Sequence, residues 1–555
     1  KVDADSESRS FNIANTGDAG LVLTGVPLIG VTGAHATEFA VSAQPEGTIP
    51  VANRTTFVIT FDPTAAGTRT AQVSISSNAP TATLFVFDIQ GAAVANTYTY
   101  VDDTATGAND GSSWADAFTD LQSALDLASF GNEIRIAAGV YTPSSEVGGT
   151  GARFSSFQLV NGVTIKGAYP DGGGAKHERD PARHATILSG DIDGNGQLDD
   201  GNVYHVLHHP EGTDLDKTAV LDGVTVTGGS GHTFDSLAGG MKNEGSSPTL
   251  IDCTFTGNKG YFGGGVYNSE SNPVMTRCSF IGNSANSGAG MYNISGSPVL
   301  VQCEFRGNDG AGMYSTWESF PTLEDCEFVA NTGGGFRCGG GSPVLSNCVF
   351  KENAGGGMSS AFEGEPILSN CLFLGNTAAS GGAFSCFRNS TPTLINCTLT
   401  GNTAAFGGGI RNSDGNLTLV NCVLWGNQAP NGPEIFDEGN TAVSYSCIAG
   451  NWSGTGNIAD DPLFVDAVNG DVRLRSGSPC IDAGNNTPTA TDTDFAGQFR
   501  RHDTPDIADT GNGAAPVVDM GAFEFDAANK RISTFGDQID FDAGLFAKAV
   551  ERRLN

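Results

Sequence analysis

The sequence predicts an all-β chain, an antiparallel β-sandwich followed by a parallel β-helix, on three observations. The first is a cysteine column: Cys253, Cys278, Cys303, Cys326, Cys348, Cys371, Cys397, Cys422 and Cys447 recur at steps of 22 to 26 residues. The second is the columns that keep register with it. Two residues after each of the first eight comes Phe255, Phe280, Phe305, Phe328, Phe350, Phe373, Leu399 or Leu424. Five after comes Asn258, Asn283, Asn308, Asn331, Asn353, Asn376, Asn402 or Asn427. The third is the N-terminal stretch, where short alternating apolar runs are spaced by turn residues.

A period in this range marks a repeat architecture. Helical repeats need good helix formers, whereas these units are rich in Gly, Asn, Ser, Thr and Pro, which favour turns. Three short strands with their turns fill one such period. Stacking the turns about 4.8 Å apart then lays like residues over like. The Phe, Leu and Cys columns read as the narrow interior, and the Asn column as amides chained at a corner. Glycine clusters such as Gly263–Gly265 and Gly407–Gly409 suit tight corners.

These units, with Gly264-Gly265-Val266-Tyr267-Asn268 and Gly408-Gly409-Ile410-Arg411-Asn412, resemble the right-handed parallel β-helix repeats of the pectate-lyase-like superfamily. They look most like those of bacterial surface proteins and polymorphic outer-membrane proteins. The resemblance implies right-handedness over roughly 97–450. It leaves function open, because that superfamily holds lyases, hydrolases, adhesins and inert scaffolds.

The remaining segments follow in order. In residues 1–95 the runs Phe11–Ile13, Leu21–Leu23, Phe39–Val41, Phe57–Phe61, Ala71–Ile75 and Leu84–Ile89 predict the sandwich. Asn15-Thr-Gly17 and Phe61-Asp-Pro63 resemble Hydin-type, immunoglobulin-like modules, implying a spacer or docking unit. In 96–450, Leu121, Leu125 and Ala128 at helical spacing predict a capping helix near 116–130. Such a cap would cover the open end of the solenoid. Residues 451–526 change pattern: Asp461-Pro-Leu463-Phe464, Gly477-Ser-Pro-Cys-Ile-Asp482 and Val518-Asp519-Met-Gly521 resemble choice-of-anchor regions and predict closing rungs and a loop-rich cap. In 527–555, Leu545, Phe546, Val550 and Leu554 predict a short helix.

Composition narrows the partners. With 28 Lys+Arg against 61 Asp+Glu, the formal charge is −33, which repels nucleic acid and anionic membranes. No run of 18 apolar residues is present, so no membrane-spanning segment is expected. The chain begins at Lys1 without an initiator Met, so a larger precursor is expected. Stacked cysteines point their Cβ atoms in parallel, against disulfide geometry, so the nine column thiols read as buried small hydrophobes. Cys338, Cys386 and Cys480 lie off the column, and a pair among them stays open.

Chemistry concentrates in one motif. Asp191, Asp193, Asn195 and Asp199 stand at positions 1, 3, 5 and 9, with Gly196 at 6, as in a calcium loop. Asp200 and a carbonyl of Gln197 are further oxygen ligands, and Asn202 stands where a bidentate Glu is usual. A second acidic cluster holds Asp503, Asp506, Asp509, Asn512 and Asp519, with Asp492 and Asp494 upstream. Calcium is therefore the expected cofactor, through Asp191, Asp193, Asn195, Gln197, Asp199 and Asp200, and through Asp506, Asp509 and Asp519.

No catalytic residue is assigned. The ordered Asn-Thr-Asp, Asp-Asp, His-Gly and Arg-x-Lys set of the polygalacturonases is absent from the sequence. Asp252 beside Arg277 reads as a surface ion pair of little worth. His205, His208 and His209 read as a solvated turn before Pro210. Tyr314, Trp317, Phe320 and Trp425 are a candidate carbohydrate-stacking strip. The expected function is a secreted or cell-surface adhesive scaffold that associates with itself or with other surface proteins. The alternative is a lyase or hydrolase acting on a polysaccharide, and a phage tail-spike is the third reading.

Overall fold

The computed structural model describes residues 7–525, apart from 18, 52, 65–66, 80–82, 94–96, 232–236, 317, 488–490 and 503–506. The helix expected in 527–555 lies outside the described residues. The chain divides into two compact units, one built on the N-terminal segment and one on the repeats.

The N-terminal unit is antiparallel, as the alternating runs require. Glu7–Ala14, Arg54–Phe61 and Phe39–Ala43 form one sheet. Ile29–Thr32, Gly67–Ser76 and Leu84–Ala93 form another. Their inward residues, among them Leu23, Ile29, Phe39, Phe57, Ile59, Val73 and Ile75, make one core. This arrangement fits an immunoglobulin-like region. Between the sheets, Phe11, Ile13, Phe57, Phe85 and Phe87 line an apolar cavity of about 510 Å³.

The second unit is a parallel solenoid of three long sheets. The first runs through thirteen strands, from Thr97–Val101 to Asn440–Ser444. The second has twelve, from Gly139–Tyr141 to Cys447–Ile448, and the third ten, from Leu207–His209 to Ile435–Asp437. The register is like on like: Phe255 pairs with Phe280, Phe280 with Phe305, and Leu300 with Leu323. The phenyl rings from Phe280 to Phe373 stack at 4.6–4.9 Å between centroids, with planes within 8°. The capping helix is shorter than its spacing suggests, Leu121–Asp126, with Asp120 accepting from the Ser123 N–H at 2.8 Å. It buries Leu121, Ala124 and Leu125.

Each corner has a chemical reason. The residue before each of the first eight column cysteines is left-handed, from Asp252 (φ 51°) to Asn421 (φ 55°). Asn and Asp tolerate that region better than other non-glycine residues, and Asn347, Asn370, Asn396 and Asn421 occupy it in the later turns. The turned corner aims a carbonyl inward two residues before each of these eight cysteines, and the thiol donates to it: Cys253 to Ile251 O at 3.3 Å, Cys371 to Ser369 O at 3.3 Å. All twelve cysteines are free and buried, as expected for the column. Burial holds the thiols of Cys303, Cys326 and Cys348 well above the ordinary cysteine pKa, so they stay protonated.

The asparagine column is a continuous amide chain. Each Nδ2 donates to the next Oδ1, from Asn258 to Asn427, and to a carbonyl of the preceding turn, Val226 O for Asn258 and a phenylalanine or leucine carbonyl for the rest. The chain ends on Glu434, whose carboxyl accepts from Asn427 N–H at 3.2 Å and from Asn427 Nδ2 at 2.5 Å. Burial pushes Glu434 up to about 7. An acid raised on folding stabilises the fold below its unfolded pKa, and that stability is lost as pH rises through the folded value. We therefore expect stability to fall between pH 5 and 7.5, by about 3 kcal/mol at most from this group. Thermal melts of wild type and Glu434→Gln across that range check it, and the variant should have the flatter profile.

Candidate functional site

The loop 191–202 brings most of its predicted ligands together. Asn195 Nδ2 donates to Asp193 Oδ2 at 3.0 Å and Asp199 Oδ2 at 3.1 Å, while Asp191 Oδ2 accepts from Gly196 N–H at 2.8 Å. Hydrogen bonds from the Gly196 backbone hold the Asp191 carboxyl below its ordinary range. Asn195 Oδ1 accepts from Gln197 N–H, and Asn202 Nδ2 ties the loop to Gly228 O at 2.8 Å. Asp200 turns away and pairs with Arg153 at 2.7 Å. Among the described residues no group of three His, Cys, Asp or Glu side chains is placed to hold a metal ion.

The second acidic cluster is described only in part. Asp503 and Asp506 lie outside the described residues, and Asp509 accepts from Val517 N–H at 3.0 Å. Asp519 is buried, accepting from Asp482 N–H at 2.7 Å and Phe525 N–H at 2.6 Å. Asp494 accepts from Glu524 N–H, and Glu524 pairs with buried Arg500 at 2.9 Å. Burial pushes Asp519 up to about 7 and Glu524 well above its ordinary value. These acids are sealed from any polymer at the surface. Asp252 and Arg277 form the expected pair between turns, at 2.7 and 2.9 Å.

The histidines are not a solvated turn; all three are buried, His208 and His209 in the first strand of the third sheet and His205 just before it, its Nδ1 2.8 Å from Ala238 O. His209 faces inward. Its Nε2 accepts from Leu159 N–H at 3.1 Å, so Nδ1 carries the proton and donates to Asn243 Oδ1 at 2.7 Å. Burial brings its pKa down to about 4. It heads a second amide column, Asn243, Asn268, Asn293 and Ser315, which continues in register through Cys338, Ser360, Cys386 and Asn412. Cys338 and Cys386 thus belong to an interior column of their own.

His208 faces outward and opens a different column: His208, Lys242, Tyr267, Tyr292, Tyr314, Arg337, Ser359, Ser385, Arg411 and Phe436. No acid interrupts it. His208 Nε2 lies 3.2 Å from Glu244 Oε2, and Lys242 Nζ 3.0 Å from Glu244 Oε1. The His208 hydrogen bond, with Lys242 beside it, brings the Glu244 carboxyl down to about 2. Tyr267 and Tyr292 stack at 5.6 Å under Phe262 and are buried, while Tyr314 is half-buried and Arg337 exposed. Arg411 lies over Phe406 and Phe436, at 5.2 and 5.0 Å. The aromatic strip read from sequence does not form as a unit. Trp317 lies outside the described residues, Trp425 packs against the closing segment, and Phe320 stands exposed. Sequence reading missed the column because its members share a face only after three-sheet register is known, although from Lys242 onward their step of 22 to 26 residues matches the cysteines.

A family model described as a right-handed beta helix region matches residues 215–361 and 321–461. No curated protein matches the sequence. Among solved structures, pectate lyase Pel9A shares 14% identity, covering 79% of this chain and 98% of its own, with a TM-score of 0.38. The periplasmic alginate epimerase AlgG shares 12%, covering 62% and 80%, at 0.31. The catalytic unit of a thermostable GH87 alpha-1,3-glucanase from Streptomyces thermodiastaticus shares 11%, covering 82% and 87%, at 0.31. Superpositions at these scores say nothing of activity. The repeats of this chain are a right-handed parallel β-helix.

Proposed function

We propose that the protein is an extracellular β-helix that binds an extended acidic polysaccharide along the outward column of its third sheet. One observation carries the reading. In a chain of net charge −33, ten consecutive turns place histidine, lysine, tyrosine, arginine, serine and phenylalanine in one register line that holds no acid itself, with Glu244 and Glu438 beside it on Lys242 and Arg411, and the line opens to solvent from Tyr314 to Phe436. Turns about 4.8 Å apart along that line suit a linear polymer with a short repeat. Lys242 and Arg337 bracket the tyrosines and would meet carboxylates or sulfates, and guanidinium favours a bidentate contact.

The test is a pair of variants, Tyr314→Ala and Arg337→Ala, titrated calorimetrically with polygalacturonate, alginate and a neutral glucan. Binding to the acidic polymers should weaken about tenfold or more per residue, about 1.4 kcal/mol each. Unchanged affinity, or equal affinity for the neutral glucan, overturns the proposal. Lysis is the second reading, favoured by His208, Lys242 and Glu244 at one end of the column, and rising absorbance at 235 nm would reveal it. The adhesive scaffold is supported only by a rigid shaft. The sandwich as a Hydin-type spacer and residues 451–526 as an anchor region belong to the same proposal.

Calcium at Asp191, Asp193, Asn195 and Asp199 is proposed as a stiffener of the loop. Millimolar Ca²⁺ at about 100 times its Kd should stabilise by about 2.7 kcal/mol. Asp193→Asn should abolish that gain in a thermal melt, and a melt indifferent to Ca²⁺ refutes the site.

A further inference from the structure

The N-terminal unit leaves an apolar cleft open at one edge. Glu7–Ala14 ends one of its sheets and Leu84–Ala93 ends the other, and among the described residues neither pairs with a strand along its outer side. The two edges face each other: the Phe11 and Phe87 rings lie 5.7 Å apart, and Phe11 stacks on Phe57 at 5.2 Å. Between them the cavity of about 510 Å³ is lined by Phe11, Ile13, Leu23, Phe57, Phe85 and Phe87. That is about three times the ~150 Å³ apolar cavity that admits benzene, so it takes several large side chains. Beside it Phe85 is 57% exposed, with Leu84 and Val86 also open. An apolar edge of this length is a template for another strand.

The sequence holds a run that fits. Ile539, Phe541, Ala543 and Leu545 alternate with Asp540, Asp542 and Gly544, the two-residue period of a strand with one apolar face. The run lies outside the described residues. As a strand it would extend about 23 Å at ~3.3 Å per residue, which matches edges of eight and ten residues. Charge selects between those edges. Away from the core, Leu84–Ala93 carries Asp88, which accepts from Gln72 Nε2 at 3.1 Å. Glu7–Ala14 carries exposed Ser8, Ser10 and Asn12 on that side, with Ser8 bonded to Thr60 and Asn12 to Thr56. With Phe541 pointing in, Asp540 and Asp542 stand outward, and like charges side by side destabilise a strand pair. The neutral edge, Glu7–Ala14, is the compatible one.

We propose that residues 539–545 of one copy add a strand along Glu7–Ala14 of a second copy, filling its cleft with Ile539, Phe541 and Leu545. Residues 526–538 tether the run to Phe525 and reach about 50 Å at most. Ala522 N–H donates to Thr398 at 3.1 Å, and the second sheet runs nine steps from Thr398–Thr400 back to its first strand, about 43 Å at ~4.8 Å per step. The run therefore clears its own solenoid only near full stretch, whereas a second copy sets no such limit. Each copy gives a tail to one neighbour and a cleft to another, a head-to-tail contact that builds chains or rings. Main-chain hydrogen bonds supply the affinity, and the alternate side chains in the cleft supply the specificity. This assembly does not depend on the polysaccharide reading.

The experiment is light scattering of the full chain over a dilution series, with Phe541→Asp in the tail and Phe85→Asp in the cleft. Wild type should form multimers that fall to monomer on dilution. Each variant should need about tenfold higher concentration or more to associate. Mixed one to one, the variants should give a dimer and nothing longer, because that pair keeps one working tail and one working cleft. Thermal melts that match wild type establish that both variants fold. Should Phe85→Asp not fold, the loss of association in Phe541→Asp decides alone. A wild type that is monomeric at every concentration overturns the proposal. So do multimers indifferent to Phe541→Asp, or folded variants that stay monomeric when mixed.

Discussion

Asn331→Ala should destabilise the solenoid by roughly 4 kcal/mol, one of the two largest single-residue effects expected. Asn331 is wholly buried, and its side chain makes four hydrogen bonds to three residues. Its Nδ2 donates to Phe305 O and to Asn353 Oδ1, both at 2.9 Å. Its Oδ1 accepts from Asn308 N–H at 3.1 Å and Asn308 Nδ2 at 2.8 Å. Alanine strands all of these in a dry interior, where each orphaned group costs about 1–3 kcal/mol and the costs do not simply add. Asn440, exposed on the last turn, offers the contrast: Asn440→Ala should change stability by less than about 0.5 kcal/mol. Denaturant midpoints measure both. Because repeat arrays can lose two-state behaviour, exchange rates of the amides at 300–360 are the second readout. A loss under about 1 kcal/mol would mean the chained amides are not a structural support.

Phe328→Ala should cost about 3–5 kcal/mol. The ring is wholly buried between Phe305 at 4.7 Å and Phe350 at 4.9 Å, with planes within 6°. Its removal leaves a gap with strands on every side, whose pairing to the turns above and below resists collapse. Each lost stacking contact adds about 0.5–1.5 kcal/mol to the burial term. Phe320, 49% exposed, is the control, and Phe320→Ala should be close to neutral. Equal effects at the two positions would refute a packed phenylalanine column.

The periodic part of the molecule was legible because every turn repeats the same chemistry at the same step. The cysteine, phenylalanine and asparagine columns each state the register independently, and the sheets keep it. The alternating runs of residues 7–93 were legible for a similar reason, since a two-residue period names the inward face. The Ile29–Thr32 strand escaped notice because it carries no long alternating run. The histidines were misread because Pro210 suggested a turn, whereas Leu207–His209 is a strand paired to Met241–Glu244. The closing segment was not legible: the outward residues it covers, Val349, Leu372, Leu374 and Val423, alternate with Lys351, Thr398 and Thr400, and Ile281 and Val329 stand at the same positions in earlier turns.

The sequence by itself determined the solenoid, its pitch, its sealed thiols and the sandwich before it, because those depend on local spacing repeated many times. Tertiary structure alone decided which outward residues form one line on the third sheet, that His209 and Glu434 close amide columns, and that Arg500 meets Asn370. Those contacts join residues with no shared period, some more than a hundred positions apart. Their partners are set by where the chain returns in space, which no local pattern encodes.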